Sequence, residues 1–171
     1  IVKETGCGID RDTAVRLANA GVAAIDVGGM GGTSFTLIEG IRSGKMQDHR
    51  GTRLAETFAT WGIPTACSIL ETRDAGLPVI ATGGISNGLQ AAKALALGAG
   101  LAGIGRKLLT AAVEGPDAAV QELGLIIDEI RISLALGNCR TAAELATKTP
   151  VLSGNVALWA TRHNNNKQTG S

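Results

Sequence analysis

The chain has 171 residues, 44% of them hydrophobic, so it is long enough to bury one sizeable core and a single compact unit is expected. Its formal net charge of +1, from 16 basic and 15 acidic residues spread along the chain, excludes the basic surface typical of proteins that bind nucleic acids or anionic membranes. No apolar run approaches the roughly 20 residues of a membrane-spanning helix. Without a secretory signal, and with cysteines that lack metal-ligand spacing, the sequence predicts a cytoplasmic protein.

Four short apolar segments predict buried parallel strands, and helical patterns lie between them. The segments are residues 1–3, 23–27, 78–81 and 101–104. The sequence opens on the first of them, so we expect the chain to begin inside a strand.

Three helices have clear sequence signals. Asp10 predicts the N-cap of a helix that Gly21 closes, and Asn87 and Gly98 bound a second helix in the same way. Apolar positions recur at helical spacing over residues 117–136, which predicts a long covering helix.

The remaining segments are less regular. Residues 65–75 predict a short helix, whereas residues 36–58 have a charged middle without a clean period and predict a flexible excursion. From His163 onward the sequence is polar and unpatterned, which predicts a disordered tail.

Alternating strands and helices are typical of a (β/α)8 barrel or of a small doubly wound sheet. Glycine-rich loops follow the second, third and fourth strands in turn, which favours the barrel, because a barrel places its functional loops at the carboxyl ends of successive strands. A full barrel needs about 250 residues. The chain is therefore predicted to be half of an α/β barrel, a TIM barrel of about four βα units over residues 1–154, completed by missing sequence or by another chain.

The strongest functional signal is a pair of loops, residues 81–85 and 103–106, that follow consecutive strands and lead into helices. Glycines let the main chain approach an anion, helix N-termini present free N–H groups to it, and an arginine adds a charge-assisted contact. The pair predicts a phosphate site. Tight turns without a ligand are the alternative.

A third loop, residues 28–34, holds four glycines before Thr33 and Ser34 and could approach a planar ligand. Either hydroxyl could cap the next segment or donate a hydrogen bond to a ligand oxygen.

Lys3 ends the first predicted strand, and we expect it to be partly buried. It then needs either Glu4 or a bound anion as its partner, while a solvated lysine is the alternative. Asp26 ends the second strand; a structural hydrogen bond is at least as good an explanation for it as ligand contact, so it receives no catalytic role.

Other reactive residue types give no catalytic pattern. His49 and His163 have no serine, cysteine or carboxylate arrangement around them. Trp61 is interpreted as a packing anchor at a barrel or subunit contact. The cysteines Cys7, Cys67 and Cys139 are interpreted as small buried hydrophobic residues.

Taken in order, five segments give the chain a resemblance to the type 2 isopentenyl diphosphate isomerase family. They are residues 2–4 (VKE), 28–34 (GGMGGTS), 61–65 (WGIPT), 82–85 (TGGI) and 93–99 (KALALGA). The likeness covers roughly residues 1–154. Many FMN barrels share the phosphate loops, whereas the second and third segments together are more characteristic of this family.

The resemblance implies the C-terminal half of an FMN-binding TIM barrel, with a C-terminal helix end and tail in residues 155–171. It implies an enzyme that is reduced by NADPH, depends on Mg2+ and interconverts isopentenyl and dimethylallyl diphosphate without net redox change, with reduced flavin as acid and base. A homo-oligomer, a tetramer or an octamer, is also implied.

The same resemblance assigns cofactor contacts. Lys3 and Thr33 would contact the flavin ring and the ribityl region. The family usually has arginine where Ser86 stands, so phosphate affinity would depend more on Arg106 and on backbone amides. The residues implied to hold the phosphate are Gly83, Gly84, Ile85, Ser86, Gly105 and Arg106.

In the family, the residues that contact substrate, Mg2+ and diphosphate come from the N-terminal half. No catalytic or metal-binding residue is therefore assigned here, and the chain alone is expected to have little or no turnover. One alternative is an FMN-dependent oxidoreductase of the 2-hydroxy-acid oxidase type, but residues 28–34 lack the histidine of such enzymes. A dehydrogenase acting through a loop cysteine is disfavoured because Cys67 lies beside a helix. A non-catalytic phosphate-binding half-barrel is the third alternative.

Overall fold

The computed structural model describes the backbone of residues 1–168 and the side chains of residues 1–162. Strands and helices alternate through most of this part of the chain. In chain order the elements are β1 (Val2–Lys3), α1 (Arg11–Asn19), β2 (Ile25–Asp26), α2 (Phe35–Lys45), α3 (His49–Thr57), α4 (Thr65–Thr72), β3 (Val79–Ala81), α5 (Gly88–Ala96), β4 (Leu101–Ala102), α6 (Arg106–Glu114), α7 (Pro116–Leu136), α8 (Ala142–Ala146) and α9 (Gly154–Gln168).

The strands form one parallel sheet in which each strand lies beside the next along the chain, in the order β1-β2-β3-β4. The register pairs Lys3 with Asp26, Asp26 with Ile80, and Ile80 with Leu101. A doubly wound sheet reverses its strand order at a switch point, whereas this order advances steadily, as strands do around a barrel. All strand carboxyl ends therefore open on the same edge of the sheet.

Burial differs between the central and the outer strands. Ile25 of β2 and Ala81 of β3 are fully buried, but Val2 of β1 is 36% exposed and Leu101 of β4 is 62% exposed. The prediction that all strands are buried is wrong for β1 and β4. Within the described residues each of these has a neighbouring strand on one side only, so nothing covers its outer edge.

The predicted helix starts are confirmed where a side chain caps the helix. Asp10 accepts a hydrogen bond from the Thr13 N–H at 2.7 Å, and Asn87 accepts one from the Gln90 N–H at 2.9 Å. The long covering helix is also confirmed, as α7, and the short helix predicted over residues 65–75 is the eight-residue α4.

Residues 36–58 are not a flexible excursion but two helices, α2 and α3, that pack against each other. Small residues make this possible, because a Cβ at Gly40 would lie 2.6 Å from the Cβ of Ala55. Ser34 and Asp48 cap the two helices. The charged residues that obscured the helical period lie mostly on exposed positions.

The last described helix, α9, packs on α4, and the indole N–H of Trp159 donates to a Glu71 carboxylate oxygen at 2.6 Å. Because α9 continues to Gln168, the backbone of residues 163–168 is helical, whereas the sequence predicted a disordered tail from His163 onward. The final part of the predicted tail, residues 169–171, lies outside the described residues. None of the helices in the described chain is long and apolar enough to cross a bilayer.

Candidate functional site

One cavity of about 670 Å³ lies at the carboxyl edge of the sheet. Its size suits a ligand as large as a mononucleotide cofactor. All the predicted cofactor-binding residues line it together: Lys3, Thr33, Gly83, Gly84, Ile85, Ser86, Gly105 and Arg106. They come from the end of β1 and from the segments that follow β2, β3 and β4, which is why Lys3 and Arg106 line one cavity although they are 103 positions apart in sequence.

Part of the glycine pattern is explained by the protein's own packing. Gly83 has a φ of +109°, and a Cβ on it would overlap the carbonyl oxygen of Gly29. A Cβ on Gly32 would lie 2.8 Å from the nitrogen of Gly84. Thr65 pins the same loop, because its hydroxyl donates to the carbonyl oxygen of Gly83 at 2.6 Å. Close loop packing is thus a sufficient reason for Gly83, as the tight-turn alternative requires.

The N-terminus of α6 is different. Its N-cap, Gly105, provides no side-chain cap, and a Cβ on Gly105 would meet nothing within 4 Å. The first turn of the helix therefore borders the cavity, and its first N–H groups have no side-chain acceptor from the cap residue. Arg106 makes no ion pair with any residue of the described chain, whereas its neighbour Lys107 pairs with Glu122 at 3.5 Å. Free amides, helix dipole and guanidinium together suit an anion.

Ser86 is less available than the sequence suggested. Its N–H and its hydroxyl both donate to the side-chain oxygen of Gln90, at 2.8 and 3.1 Å. A phosphate at Ser86 would have to replace this contact. Ile85 is 9% exposed and belongs to the core, so its contribution to a ligand is limited to its main chain.

Lys3 does not pair with Glu4, the partner considered from the sequence. Its Nζ lies 2.7 Å from an Asp26 carboxylate oxygen and donates to the Thr82 hydroxyl at 2.9 Å. The lysine side chain is 54% exposed, so it is less buried than expected. The reason is that β1 is an edge strand, and the cavity opens beside it.

Glu4 instead closes the loop that follows β1. Its carboxylate accepts hydrogen bonds from the N–H groups of Gly6, Cys7 and Gly8, at 2.6, 2.5 and 2.9 Å. Burial raises the pKa of Glu4, but these backbone donors and that of Thr5 outweigh it, so the pKa lies below its ordinary value of 4.5. Since its charge is used locally, Lys3 and Arg106 are the charges that the cavity presents to a ligand.

In the loop at residues 28–34, one hydroxyl residue caps the following helix and the other lines the cavity. Ser34 is the N-cap of α2 and accepts from the Leu37 N–H at 3.3 Å. Thr33 lines the cavity, beside the exposed Phe35.

Sequence reasoning did not assign Thr82, which holds Lys3, or Thr65, which pins the loop at Gly83, to the site. For Asp26, which also holds Lys3, it considered a structural hydrogen bond but did not name the partner. A usable signal existed for two of them, because Asp26 and Thr82 stand at the ends of neighbouring parallel strands. Thr65 had no such signal, since it appeared only as the last residue of the segment 61–65 (WGIPT).

The other reactive residues with described side chains do not line the cavity, and the side chain of His163 lies outside the described residues. His49 begins α3, and Trp61, 70% exposed, contacts Phe58 edge to face. Burial raises the pKa of the Cys67 thiol, and the nearby charge of Glu71 raises it further. The thiol therefore stays protonated at neutral pH. Cys139 is buried as expected, but Cys7 is only partly buried. In the described part of the chain, no three His, Cys, Asp or Glu residues are grouped to hold a metal ion.

Comparison with known proteins decides the family. Residues 6–151 match the FMN-dependent dehydrogenase family. The chain belongs to this family. Its membership supports FMN as the ligand chemistry of the cavity described above.

Within the FMN-dependent dehydrogenase family, the chain is similar to curated proteins named isopentenyl-diphosphate delta-isomerase. It is 44% identical to the one from Methanosarcina barkeri over 154 residues, which are 90% of this chain and 42% of that protein. It is also 44% identical to the one from Moorella thermoacetica over 162 residues, 93% of this chain and 44% of that protein. The chain thus spans about two-fifths of the length of these relatives.

Solved structures of mandelate oxidase share the fold. The structure with 3,3-difluoro-2-hydroxy-3-phenylpropionic acid aligns with a TM-score of 0.64 at 24% identity, covering 89% of this chain and 39% of the oxidase. The structure with benzoyl-formic acid aligns with a TM-score of 0.60 at 26% identity, covering 85% and 38%. With the strand order above, these matches show that the chain is a partial (β/α)8 barrel.

Proposed function

We propose that this chain supplies the FMN-phosphate-binding part of an isopentenyl-diphosphate delta-isomerase. The observation that carries the proposal is the uncapped N-terminus of α6 at the same cavity that Lys3 lines. Close packing of loops explains Gly83 but not Gly105, Arg106 and the free helix amides. A bound phosphate explains them.

The residues present fit FMN at both ends. Gly105, Arg106 and the main chain of the loop at residues 83–86 would hold the phosphate, with Arg106 as the charged donor. Lys3 would donate to the electron-rich edge of the ring system, and Thr33 to the ring or the ribityl hydroxyls. Lys3 and Thr33 belong to the same cavity as the phosphate loops, so one ligand could reach all of them.

The whole protein's reaction extends this proposal. Bound FMN, once reduced by NADPH, would supply acid and base for interconverting isopentenyl and dimethylallyl diphosphate. The residues described here would bind and orient it. Mg2+, the residues that grip the diphosphate, the tetrameric or octameric assembly and the cytoplasmic location are proposed on the likeness to the isomerases alone.

The 2-hydroxy-acid oxidase alternative has less support. Among residues 1–162, whose side chains the structure describes, no histidine lines the cavity to take a proton from a hydroxy acid. Identity to the mandelate oxidases is also far lower than to the isomerases.

Flavin titration tests the proposal. The chain is titrated with FMN and with riboflavin, which lacks the phosphate, while flavin fluorescence is followed. We expect FMN to bind at least about tenfold more tightly, a difference of roughly 1.4 kcal/mol. Equal affinities, or no binding of either flavin, would contradict it.

An isomerisation assay tests the extension. With FMN, NADPH and Mg2+, we expect the isolated chain to show little or no turnover. Full activity would show that the described residues carry the catalytic groups as well.

A further inference from the structure

Asp26 is the only charged residue among residues 1–162 that is buried to the level of the core, with 7% of its surface exposed. A carboxylate removed from water is costly unless it is paired and hydrogen-bonded. Asp26 has these partners: Lys3 on one oxygen, and the Thr82 hydroxyl and the Gly28 N–H on the other. From the sequence alone, a structural hydrogen bond is considered for this residue and no catalytic role is assigned to it.

The three side chains of this network come from three successive strand ends. Lys3 ends β1, Asp26 ends β2, and Thr82 directly follows β3. The Thr82 hydroxyl accepts a hydrogen bond from Lys3, which can only donate, and it therefore points its own proton at the Asp26 carboxylate. The ammonium of Lys3 has three donors, and two of them are used. One N–H remains, on a side chain that lines the cavity.

A simple clamp between strands would be the plain explanation, but the strands are already joined there. The Glu4 N–H donates to the Asp26 carbonyl at 3.0 Å, and the Val27 N–H donates to the Ile80 carbonyl at 3.0 Å. An ion pair whose lysine side chain is 54% exposed also adds little stability, so joining the strands is a weak explanation for it.

We propose that Asp26 and Thr82 are positioning residues, which hold the Lys3 ammonium in one place and leave one of its N–H groups for an electron-rich ligand atom. This inference rests on the proposed function, since the ligand is the flavin. It goes beyond the proposed function in assigning a role to Asp26 and Thr82, which act on the ligand through Lys3; Asp26 does not line the cavity, whereas Thr82 does.

A double-mutant cycle on FMN binding tests the proposal. Asp26→Asn and Thr82→Val should each weaken FMN binding roughly tenfold, the loss expected when the Lys3 ammonium is no longer held in position to donate one charge-assisted hydrogen bond to the ligand. Thr82→Ser keeps the hydroxyl and should stay within about twofold of the parent. In a Lys3→Met background, Asp26→Asn should have almost no further effect, because the group it positions is gone.

Asp12→Asn is the matched control. It removes an exposed carboxylate from the first turn of α1, away from this cavity, and should leave FMN binding unchanged. The absorption spectrum of bound FMN gives a second readout, which should change in Asp26→Asn and not in Asp12→Asn.

A measurement without flavin separates this inference from the proposed function. In a proton–nitrogen spectrum of the lysine ammonium groups, Lys3 should give a signal because its hydrogen bonds slow exchange with water. The signal should vanish in Lys3→Met, which assigns it, and in Asp26→Asn.

The outcomes are distinct. No flavin binding with an intact Lys3 signal would contradict the proposed function but support the held ammonium. Additive effects of Asp26→Asn and Lys3→Met, unchanged FMN binding in Asp26→Asn, or a Lys3 signal that persists in Asp26→Asn would each overturn the positioning role.

Discussion

Two glycine-to-alanine substitutions in helices should change stability in opposite directions. Gly88 begins α5 and Gly124 lies within α7. On helix propensity alone, each substitution should stabilise the protein, by up to about 1 kcal/mol in a helix interior. At Gly88, however, close contacts with α7 should outweigh the gain in helix propensity.

A Cβ on Gly88 would overlap the carbonyl oxygen of Ile126 and lie 2.7 Å from the nitrogen of Ile130, both backbone atoms of α7. Backbone of a packed helix cannot yield as a flexible side chain does, and such overpacking costs about 1–3 kcal/mol. We expect Gly88→Ala to lose about 1–2 kcal/mol after the small gain in propensity. A Cβ on Gly124 would meet nothing within 4 Å, so Gly124→Ala should gain about 0.5–1 kcal/mol.

Urea unfolding followed by far-UV circular dichroism measures both changes. For a chain of this size, 1 kcal/mol corresponds to a shift of roughly 2–4 °C in Tm, so thermal unfolding offers a second reading. If Gly88→Ala were as stable as the parent or more so, the close contact between α5 and α7 would be wrong. The start of α5 would then not be fixed as described, and neither would the loop at residues 83–86 that leads into it.

Further predictions concern the site and its support. Arg106→Ala should weaken FMN binding about tenfold and leave riboflavin binding unchanged in parallel titrations. The control is the neighbouring Lys107→Ala, which should change the binding of neither flavin, because Lys107 is paired with Glu122. Ser68→Ala should cost about 2–3 kcal/mol in urea unfolding, because the buried Ser68 hydroxyl satisfies both the N–H and the carbonyl of Ile9 at 2.8 Å. The control is Ser133→Ala, since Ser133 is only partly buried and its hydroxyl donates to a single carbonyl, that of Glu129; similar losses in both variants would refute the argument. Glu4→Gln should destabilise the protein at neutral pH, because the folded-state pKa of Glu4 lies below 4.5. The difference in unfolding free energy between parent and variant should be fully present above about pH 4.5 and should shrink as pH falls through the folded-state pKa. A difference between parent and Glu4→Gln that did not shrink at all on acidification below pH 4.5 would count against it.

Local signals in the sequence predicted much of the fold. The caps Asp10 and Asn87 act within one turn of their own helix, so their residue types and spacing were sufficient. The exposure of Val2 and Leu101 depends on which strands lie beside them, and a segment's own residues do not contain that information. The pairing of α2 with α3 was missed for a similar reason, since it depends on the close approach of Gly40 to Ala55.

The candidate site was predictable to the extent that it follows from parallel strands. Loops after successive strands share one edge, so the predicted residues from Lys3 to Arg106 line one cavity. The partner of Lys3 was not predicted, because the adjacent Glu4 was the obvious acid while Asp26 is 23 residues away. Only the register of β1 with β2 shows that Asp26 lies directly beside Lys3.

A crystal structure of the chain with FMN would test the central claim most directly. It should place the phosphate between the loop at residues 83–86 and the first turn of α6, with the Arg106 guanidinium and helix N–H groups within about 3 Å of its oxygens. A phosphate bound elsewhere, or two loops that share no anion, would contradict the flavin site.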